Sequence, residues 1–511
     1  MGTEAGRLRR LHRLLLAGLV VTAGLVRLRP VSSNDLWWHL SMGEVAGPRF
    51  PDPVGPEGLE YVDPEWFFDV LVYQVHAVAG LVGLQVLVAS LAACSALLAY
   101  LVARDVGRDR WLGLGVAALA VGASSWRFDP RPQAAFLVLL PLLIWLVWRA
   151  CSAERALPWL LGAYAVALVW TQTHTSMVVG PVVALLLALR KPRVALALSP
   201  MLLVPFLGPF GLEVIGQVVG HSGSDAARHI LDMRPMPPDA WLPRLGNSVL
   251  FLEILIACGL IGAWKARRLD VGLLGIAVLG FAMTLTAHRF RAAWALMLVP
   301  WVTDAASRVP PLRRRWTGLA VVTVVIALGA RAELGLGLDR SSVPLGAAQA
   351  VRGLGVRGQI FNSYDDGGYL GWALRGQARV FIDGRTPTHF DGERFFAGRV
   401  ALVKPIAFAR LHEEQGFGAA VVPRSAPLCS ALQEDAGWGL VWVGEDRAVF
   451  ESGVGGLRHL RGCAGESQRA LCVGDPATGR EVLAELEEVG QLSEEETWIW
   501  RTAVVVALDC V

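Results

Sequence analysis

Apolar residues in this chain gather in long unbroken runs, not in the narrow stripes or strict alternation of a soluble domain. The runs fall at about 14–26, 82–103, 111–125, 134–148, 157–170, 175–189, 194–215, 248–264, 269–287, 292–306 and 317–332. Each is read as a membrane-spanning helix, about eleven in all, the shorter ones extended by their flanks to the roughly 20 residues that cross a bilayer. Alternate gaps are basic. They hold Arg7, Arg9, Arg10 and Arg13, then Arg104, Arg108 and Arg110, then Arg149 and Arg155. The series continues with Arg190, Lys191 and Arg193, with Lys265, Arg267 and Arg268, and with Arg308, Arg313, Arg314 and Arg315. Lys and Arg collect on the cytoplasmic side, so this alternation predicts a cytoplasmic N-terminus and a periplasmic C-terminal part. Arg27-Leu-Arg-Pro follows the first run with no small-x-small cleavage site, so that run is read as an uncleaved span.

The pattern changes near 341. Short β-branched segments at 359–362, 379–383, 418–423, 440–443 and 448–450 read as strands with helices between them, predicting a small α/β layer with a mainly parallel sheet. The expected organisation is a transmembrane part over 1–332 with a long first outside loop at 27–81, an exported α/β domain over 333–455, and a helical extension over 456–511. The fold class is thus a polytopic α-helical membrane protein with a C-terminal periplasmic α/β domain. Within the first loop, 65–81 is amphipathic and predicts a helix lying in the interface. The acidic stretch within 480–500 reads as a solvated helix face.

Composition supports this division. Of 511 residues 54% are hydrophobic and 18% charged, with a mean hydropathy of +0.47, which excludes a conventional cytosolic enzyme, a disordered chain and a small disulfide scaffold. Residues 331–511 hold 24 acidic and 18 basic side chains, a soluble density. The positive excess elsewhere lies in short loop clusters and gives no reason to expect a nucleic-acid partner. Cys94, Cys151 and Cys258 read as apolar packing residues. Cys429, Cys463, Cys472 and Cys510 fall where disulfides are permitted, Cys463 and Cys472 being the nearest pair, though spacing leaves the connectivity open. No Cys-x-x-Cys or similar tight spacing suggests a metal.

The inside turns are short and merely basic, whereas the outside turns combine carboxylates, histidines, arginines and tryptophans. Asp35-Leu-Trp37-Trp38-His39 follows the first span, and Asp63-Pro-Glu65-Trp66 comes later in the same loop. A carboxylate beside indoles suits a sugar: aromatic faces stack on its C–H surfaces and the carboxylate accepts a hydroxyl proton. Trp37 and Trp38 equally suit an interfacial belt, with Asp35 simply solvated. Arg127, Arg131 and Gln133 occupy the second outside turn, His174 the third, Arg289 and Arg291 the fifth. Arginine on the outside runs against the positive-inside bias. It fits either phosphate binding through the guanidinium fork or pairing with Asp35, Asp63, Glu65 or Asp129. The fourth outside loop, about 216–247, is polar and reads as either a lid or a passive connector. In the exported domain Asn362, Asp365, Asp383 and Arg385 would lie at the carboxyl ends of strands, where ligands collect in such sheets; a structural cap is the alternative.

The arrangement resembles the GT-C superfamily of membrane glycosyltransferases, in particular a bacterial group that carries Asp35-Leu-Trp-Trp-His-Leu, Asp63-Pro-Glu-Trp66, Arg131-Pro-Gln133, Phe361 to Leu370 and Val380-Phe-Ile-Asp-Gly-Arg385. The resemblance covers most of 10–425. It implies transfer of a sugar from a polyprenyl phosphate to a lipid, glycan or protein acceptor outside the membrane, with inversion. By position Asp35 becomes the general base, Asp63 or Glu65 the second choice, and Arg127, Arg131, Arg289 and Arg291 the holders of the lipid phosphate. No organic cofactor is implied, and a divalent metal assists some members but not others. Two departures stand out. The third turn reads Gln172-Thr-His174-Thr175 where the group has Asn-x-His-Gly, and Asn34 precedes Asp35 where several members have a second acid. A catalytically silent scaffold is therefore one alternative, and a transporter or flippase of lipid-linked glycans another. Transport wants charges along a path at mid-depth, but the charges gather at the outer rim and the spans are nearly free of them, Glu213 and Glu253 being exceptions.

Overall fold

The computed structural model describes residues 2–216, 225–230, 233–235, 248–266, 270–308, 311–332, 334–386 and 389–453. The chain packs as two units: Met1–Val31, Ala46–Pro48 and Asp63–Leu338 form one; Ser32–Val45, Arg49–Val62 and the described residues from Asp339 form the other. The first loop therefore does not travel with the helices that flank it in sequence; most of it belongs to the α/β unit.

The first unit is helical, and its helices fall where the apolar runs lie. Its longer helices are Gly2–Leu25, Trp66–Gly107, Arg110–Ser124, Pro132–Ser152, Leu157–Thr173, Ser248–Ala266, Val271–Thr286, Arg291–Ala306 and Pro311–Gly329. Three helices are long and apolar enough to cross a membrane by length and composition: Trp66–Gly107, Pro132–Ser152 and Ser248–Lys265. Apolar side chains such as Val78 and Trp264 stand exposed on these helices, an outer surface that suits lipid. The expected interface helix and second span form one run, Trp66–Gly107, broken at Gly80 (φ 60°, ψ −155°), a conformation open essentially to glycine. Asp109 caps the next helix by accepting the Trp111 and Leu112 backbone N–H groups. Cys94, Cys151 and Cys258 are free thiols, but Cys94 and Cys258 are exposed, not packed inside as expected.

The second unit contains a two-stranded hairpin and a five-stranded sheet. The hairpin pairs β1 (Arg49–Pro51) with β2 (Glu60–Val62) antiparallel. The sheet is built from β3 (Gly358–Asn362), β4 (Ala378–Val380), β5 (Ala419–Pro423), β6 (Trp438–Val443) and β7 (Arg447–Ser452), in the order β4-β3-β5-β7-β6. β3 runs parallel to β4 and β5, whereas β7 is antiparallel to β5 and β6. The sheet is thus mixed, because β6 and β7 form a hairpin that needs no crossover. β4 stops at Val380, not at Asp383, since Asn362 Oδ1 takes the Phe381 N–H and its Nδ2 donates to the Ile382 carbonyl. Phe361, Phe381, Phe408 and Phe417 pack around the sheet as one aromatic core. Cys429 is disulfide-bonded. Cys463, Cys472, Cys510, the 456–511 extension with its 480–500 helix, and most of the 216–247 loop lie outside the described residues.

Candidate active site

In the α/β unit the first-loop motif starts a short helix, Leu36–Val45, with the His39 N–H donating to the Asp35 carbonyl. The Asp35 side chain is half-buried. A Cβ built on Gly384 would fall 2.4 Å from Asp35 Oδ1 and 3.0 Å from Trp38 Nε1, so the carboxylate and the indole N–H both lie against a bare Cα. A Cβ on Gly368 would fall 2.4 Å from the Asn34 carbonyl oxygen. These two glycines permit residues 34–38 to close onto the 364–385 segment, and any side chain there would push them away.

Trp37 and Trp38 are buried, Trp37 edge-on to Tyr369 at 4.9 Å and Trp38 in a cluster with Met42, Phe50, Val54 and Tyr61. Their faces form neither an interfacial belt nor an open sugar platform. Yet neither indole N–H finds a hydrogen-bond partner among the described residues. An orphaned donor beside a half-exposed carboxylate is the complement of a hydroxyl, which donates to one and accepts from the other. His39 is buried against Trp38, with ring centroids 3.5 Å apart.

The exported-domain candidates have a different fate. Arg385 and Asp383 are fully buried. The Arg385 guanidinium donates to Asp383 at 2.7–3.1 Å, lies 3.0 Å from Asp52 Oδ2, and stacks over Tyr61 and Phe390. Asp52 accepts the Val54 and Gly55 backbone N–H groups and meets His389 Nε2 at 2.6 Å. Burial alone would raise the Asp52 carboxyl, but Arg385 and then His389 hold it well below the usual carboxylate range. The same carboxylates, Asp383 before Asp52, hold the Arg385 guanidinium above its usual value against burial. Asp383 and Arg385 thus form a closed charge network that fastens the loop residue Asp52 to the sheet, not a ligand site open at the strand ends. Asn362 is likewise spent on backbone groups. Asp365 is exposed, while the neighbouring Asp366 is buried and accepts from Arg447 and Ser363. Asp52 and His389 escaped sequence reasoning, whereas Asp366 belonged to the expected strand-end group. The sequence held no signal that joins Asp52 to His389, since they lie 337 positions apart.

In the helical unit Asp63 is buried and its Oδ1 accepts the Glu65 N–H, bending the chain into the Trp66 helix. Glu65 lies 3.8 Å from His174 Nε2, beyond hydrogen-bond length. Trp170 Nε1 donates to Ser176 Oγ, and His174 Nδ1 meets both Ser176 Oγ at 2.7 Å and the Ser176 N–H at 2.9 Å. Accepting that N–H assigns the neutral-tautomer proton to Nε2, on the Glu65 side. Phe136 stacks on the imidazole at 5.3 Å. Gln172, the departure from the group's Asn, accepts the Trp66 indole N–H at 3.0 Å, a reach its longer side chain supplies.

The arginines gather at two foci. Arg27 donates to Asp129 at 3.1 Å and to the Ser125 carbonyl, with Arg29 3.4 Å from the same carboxylate. Burial alone would raise the Asp129 carboxyl, but Arg27, Arg131, Arg29 and Arg127 together pull it below its usual value. Asp129 is therefore paired, and its partners include Arg27 and Arg29, which carry no assignment from the sequence. At the second focus Trp126 carries the Arg291 guanidinium at 4.7 Å, the Arg127 guanidinium at 5.7 Å and the His288 ring at 5.1 Å. Arg291 also donates to Ser248 Oγ. Arg289 lies over Phe290, and Gln133 is half-buried in the first turn of the Pro132 helix. Four guanidiniums around one carboxylate leave a formal excess of positive charge, a setting suited to a phosphate. Among the described residues no group of three or more His, Cys, Asp or Glu side chains is placed to hold a metal ion, so no step below is routed through one.

No protein-family model and no curated protein matches the chain. Solved structures do. The oligosaccharyltransferase AglB from Archaeoglobus fulgidus, in complex with an inhibitory peptide and a dolichol-phosphate, superposes with a TM-score of 0.59 at 12% identity, covering 85% of this chain and 73% of that one. The Archaeoglobus fulgidus oligosaccharyltransferase tethered with an acceptor peptide gives 0.58 at 11% identity over 81% and 69%. The mycobacterial arabinofuranosyltransferase AftD gives 0.54 at 13% identity, covering 87% of this chain but only 42% of its own. These are GT-C superfamily membrane glycosyltransferases. At such identities the likeness is one of fold: the chain has the GT-C fold.

Proposed function

We propose that this protein is a membrane glycosyltransferase that moves a sugar from a polyprenyl-phosphate donor to an acceptor hydroxyl on the outer face of the inner membrane. In this reading the apolar helices make about eleven crossings, and the α/β unit is periplasmic. The observation that carries the reading is that Asp35 Oδ1 and the orphaned Trp38 indole N–H lie together against Gly384. Asp35 takes the proton as the acceptor oxygen forms its bond to the anomeric carbon from the face opposite the phosphate. The anomeric carbon–phosphate oxygen bond breaks, its electron pair leaves with the polyprenyl phosphate, and configuration inverts. Arg127, Arg131, Arg289 and Arg291 supply positive charge for the lipid phosphate, whose negative charge grows as that bond breaks. Glu65, held near His174, and Asp63 are the second-choice acids. GT-C neighbours whose complexes hold dolichol-phosphate and acceptor peptides support the donor and acceptor classes.

The test is the anomeric configuration of the product together with Asp35→Asn. Inversion in the wild type and loss of transfer in a folded, donor-binding Asp35→Asn variant are expected. Full activity of that variant would sink the assignment. One observation favours a non-catalytic scaffold instead: the motif's indoles are buried in packing. That reading predicts wild-type protein that binds donor and never turns it over.

A further inference from the structure

Where the Trp66–Gly107, Arg110–Ser124 and Pro132–Ser152 helices present the ends remote from Trp66, Ser124 and Pro132, the helical unit holds a cavity of about 560 Å³. Arg104, Arg108, Arg110 and Arg149 line it with Ser152, and Asp105 is its only carboxylate among the described residues. The 21 residues of the Pro132–Ser152 helix separate it by roughly 30 Å from Arg131 and Gln133. It is therefore distinct from the arginines assigned to the donor.

Asp105 is already committed. It accepts from Arg104 at 2.7 Å and from the Trp145 indole at 3.0 Å, and lies 3.5 Å from Arg149. Arg104 and Arg149 also sit in the last turns of their helices, where a cation complements the helix dipole. Neither explanation reaches Arg108 or Arg110, whose place in a basic turn fits the positive-inside bias but which that bias leaves without a partner. Arg108 follows the helix end with φ 50° and ψ 27°, the left-handed conformation in which glycine is favoured. Arg110 is the first residue of its helix, the end at which a cation is disfavoured. Neither has a carboxylate partner among the described residues. Two guanidiniums, Arg108 exposed and Arg110 half-buried over Trp111, line a cavity whose described carboxylate is already engaged, which leaves them open to an external anion. Guanidinium forks match phosphate oxygens, and the volume accommodates a phosphoester headgroup.

We propose that this cavity binds a phosphate-bearing anion through Arg108 and Arg110. A membrane phospholipid headgroup and a soluble phosphate share that chemistry. The test uses the full chain in detergent with phosphatidylglycerol or phosphatidylcholine added to the micelles, or with inorganic phosphate alone. Bound lipid is counted by native mass spectrometry, and Tm is followed with each addition. Phosphatidylglycerol bound in preference to phosphatidylcholine, roughly tenfold more weakly by Arg108→Gln/Arg110→Gln, supports the proposal with a lipid source. A Tm rise with phosphate that the double variant loses supports it with a soluble source. Arg108→Gly guards against a folding artefact, since it relieves the left-handed strain and should raise the ligand-free Tm while weakening binding. Equal binding and equal Tm shifts in wild type and double variant overturn the proposal. So does an equal loss in Arg9→Gln/Arg10→Gln, which removes two charges outside the cavity.

Discussion

Replacing Arg385 with Met strips the guanidinium from a network in which both it and Asp52 have side chains 0% exposed. Two buried carboxylates, Asp52 and Asp383, lose their cation at once. At an effective dielectric near 20, the 3.0 Å Arg385–Asp52 contact alone corresponds to about 5–6 kcal/mol of attraction. Breaking one partner of a buried pair costs about 3–5 kcal/mol in practice, because the remaining charge is stranded. That is comparable with the total stability of many domains. The Arg385→Met variant should therefore release residues 32–62 to protease and lower the Tm of the α/β unit in the full chain. Adding Asp383→Asn and Asp52→Asn should recover much of the loss, since stranded charge and not lost volume is its cause, and an amide at 52 still accepts the Val54 and Gly55 N–H groups. Unchanged proteolysis and Tm in Arg385→Met would refute the network as the fastening of the loop. No recovery in the triple variant would refute the electrostatic account of its cost.

Three more expectations follow from the same contacts. Asp52 is depressed in the fold relative to about 3.9 in the unfolded chain, so its stabilisation is present above that value and lost as pH falls below it; acid titration of the α/β unit should show this slope, and Asp52→Asn should abolish it. Gly384→Ala places a methyl 2.4 Å from Asp35 Oδ1 and should cost about 1–3 kcal/mol while moving the carboxylate, so transfer falls more than stability; a variant with wild-type turnover would show that Asp35 need not lie there. Gly80→Ala forbids the break in the Trp66–Gly107 helix and should lower Tm by a cost of about 1–3 kcal/mol; an unchanged Tm would mean the helix tolerates a straight course.

The helices were legible because an uninterrupted apolar run favours a helix, and helical structure lies along the runs, three of its helices being long and apolar enough to cross a membrane. What the runs could not reveal is how the first loop folds. Residues 32–45 and 49–62 pack with a sheet more than 300 positions later, through Gly368, Gly384 and Asp52, residues whose role appears only once the chain is folded. The proximity of Asp383 and Arg385 to strand ends suggested a ligand where the fold supplies the counter-charge itself. The mixed sheet was missed for a simpler reason, since β6 and β7 carry the same β-branched signature whether they pair parallel or antiparallel. Asp129 was named as a possible partner, but Arg27 and Arg29 were not matched with it, because they lie 102 and 100 residues away.

The most direct test is incubation of the purified full chain, in lipid, with a panel of radiolabelled polyprenyl-phosphate sugars and candidate acceptors, wild type beside Asp35→Asn. Labelled product or slow donor hydrolysis with the wild type alone is the predicted result. Donor bound equally by both proteins, with no turnover by either, would contradict the glycosyltransferase and leave a GT-C fold used as a scaffold.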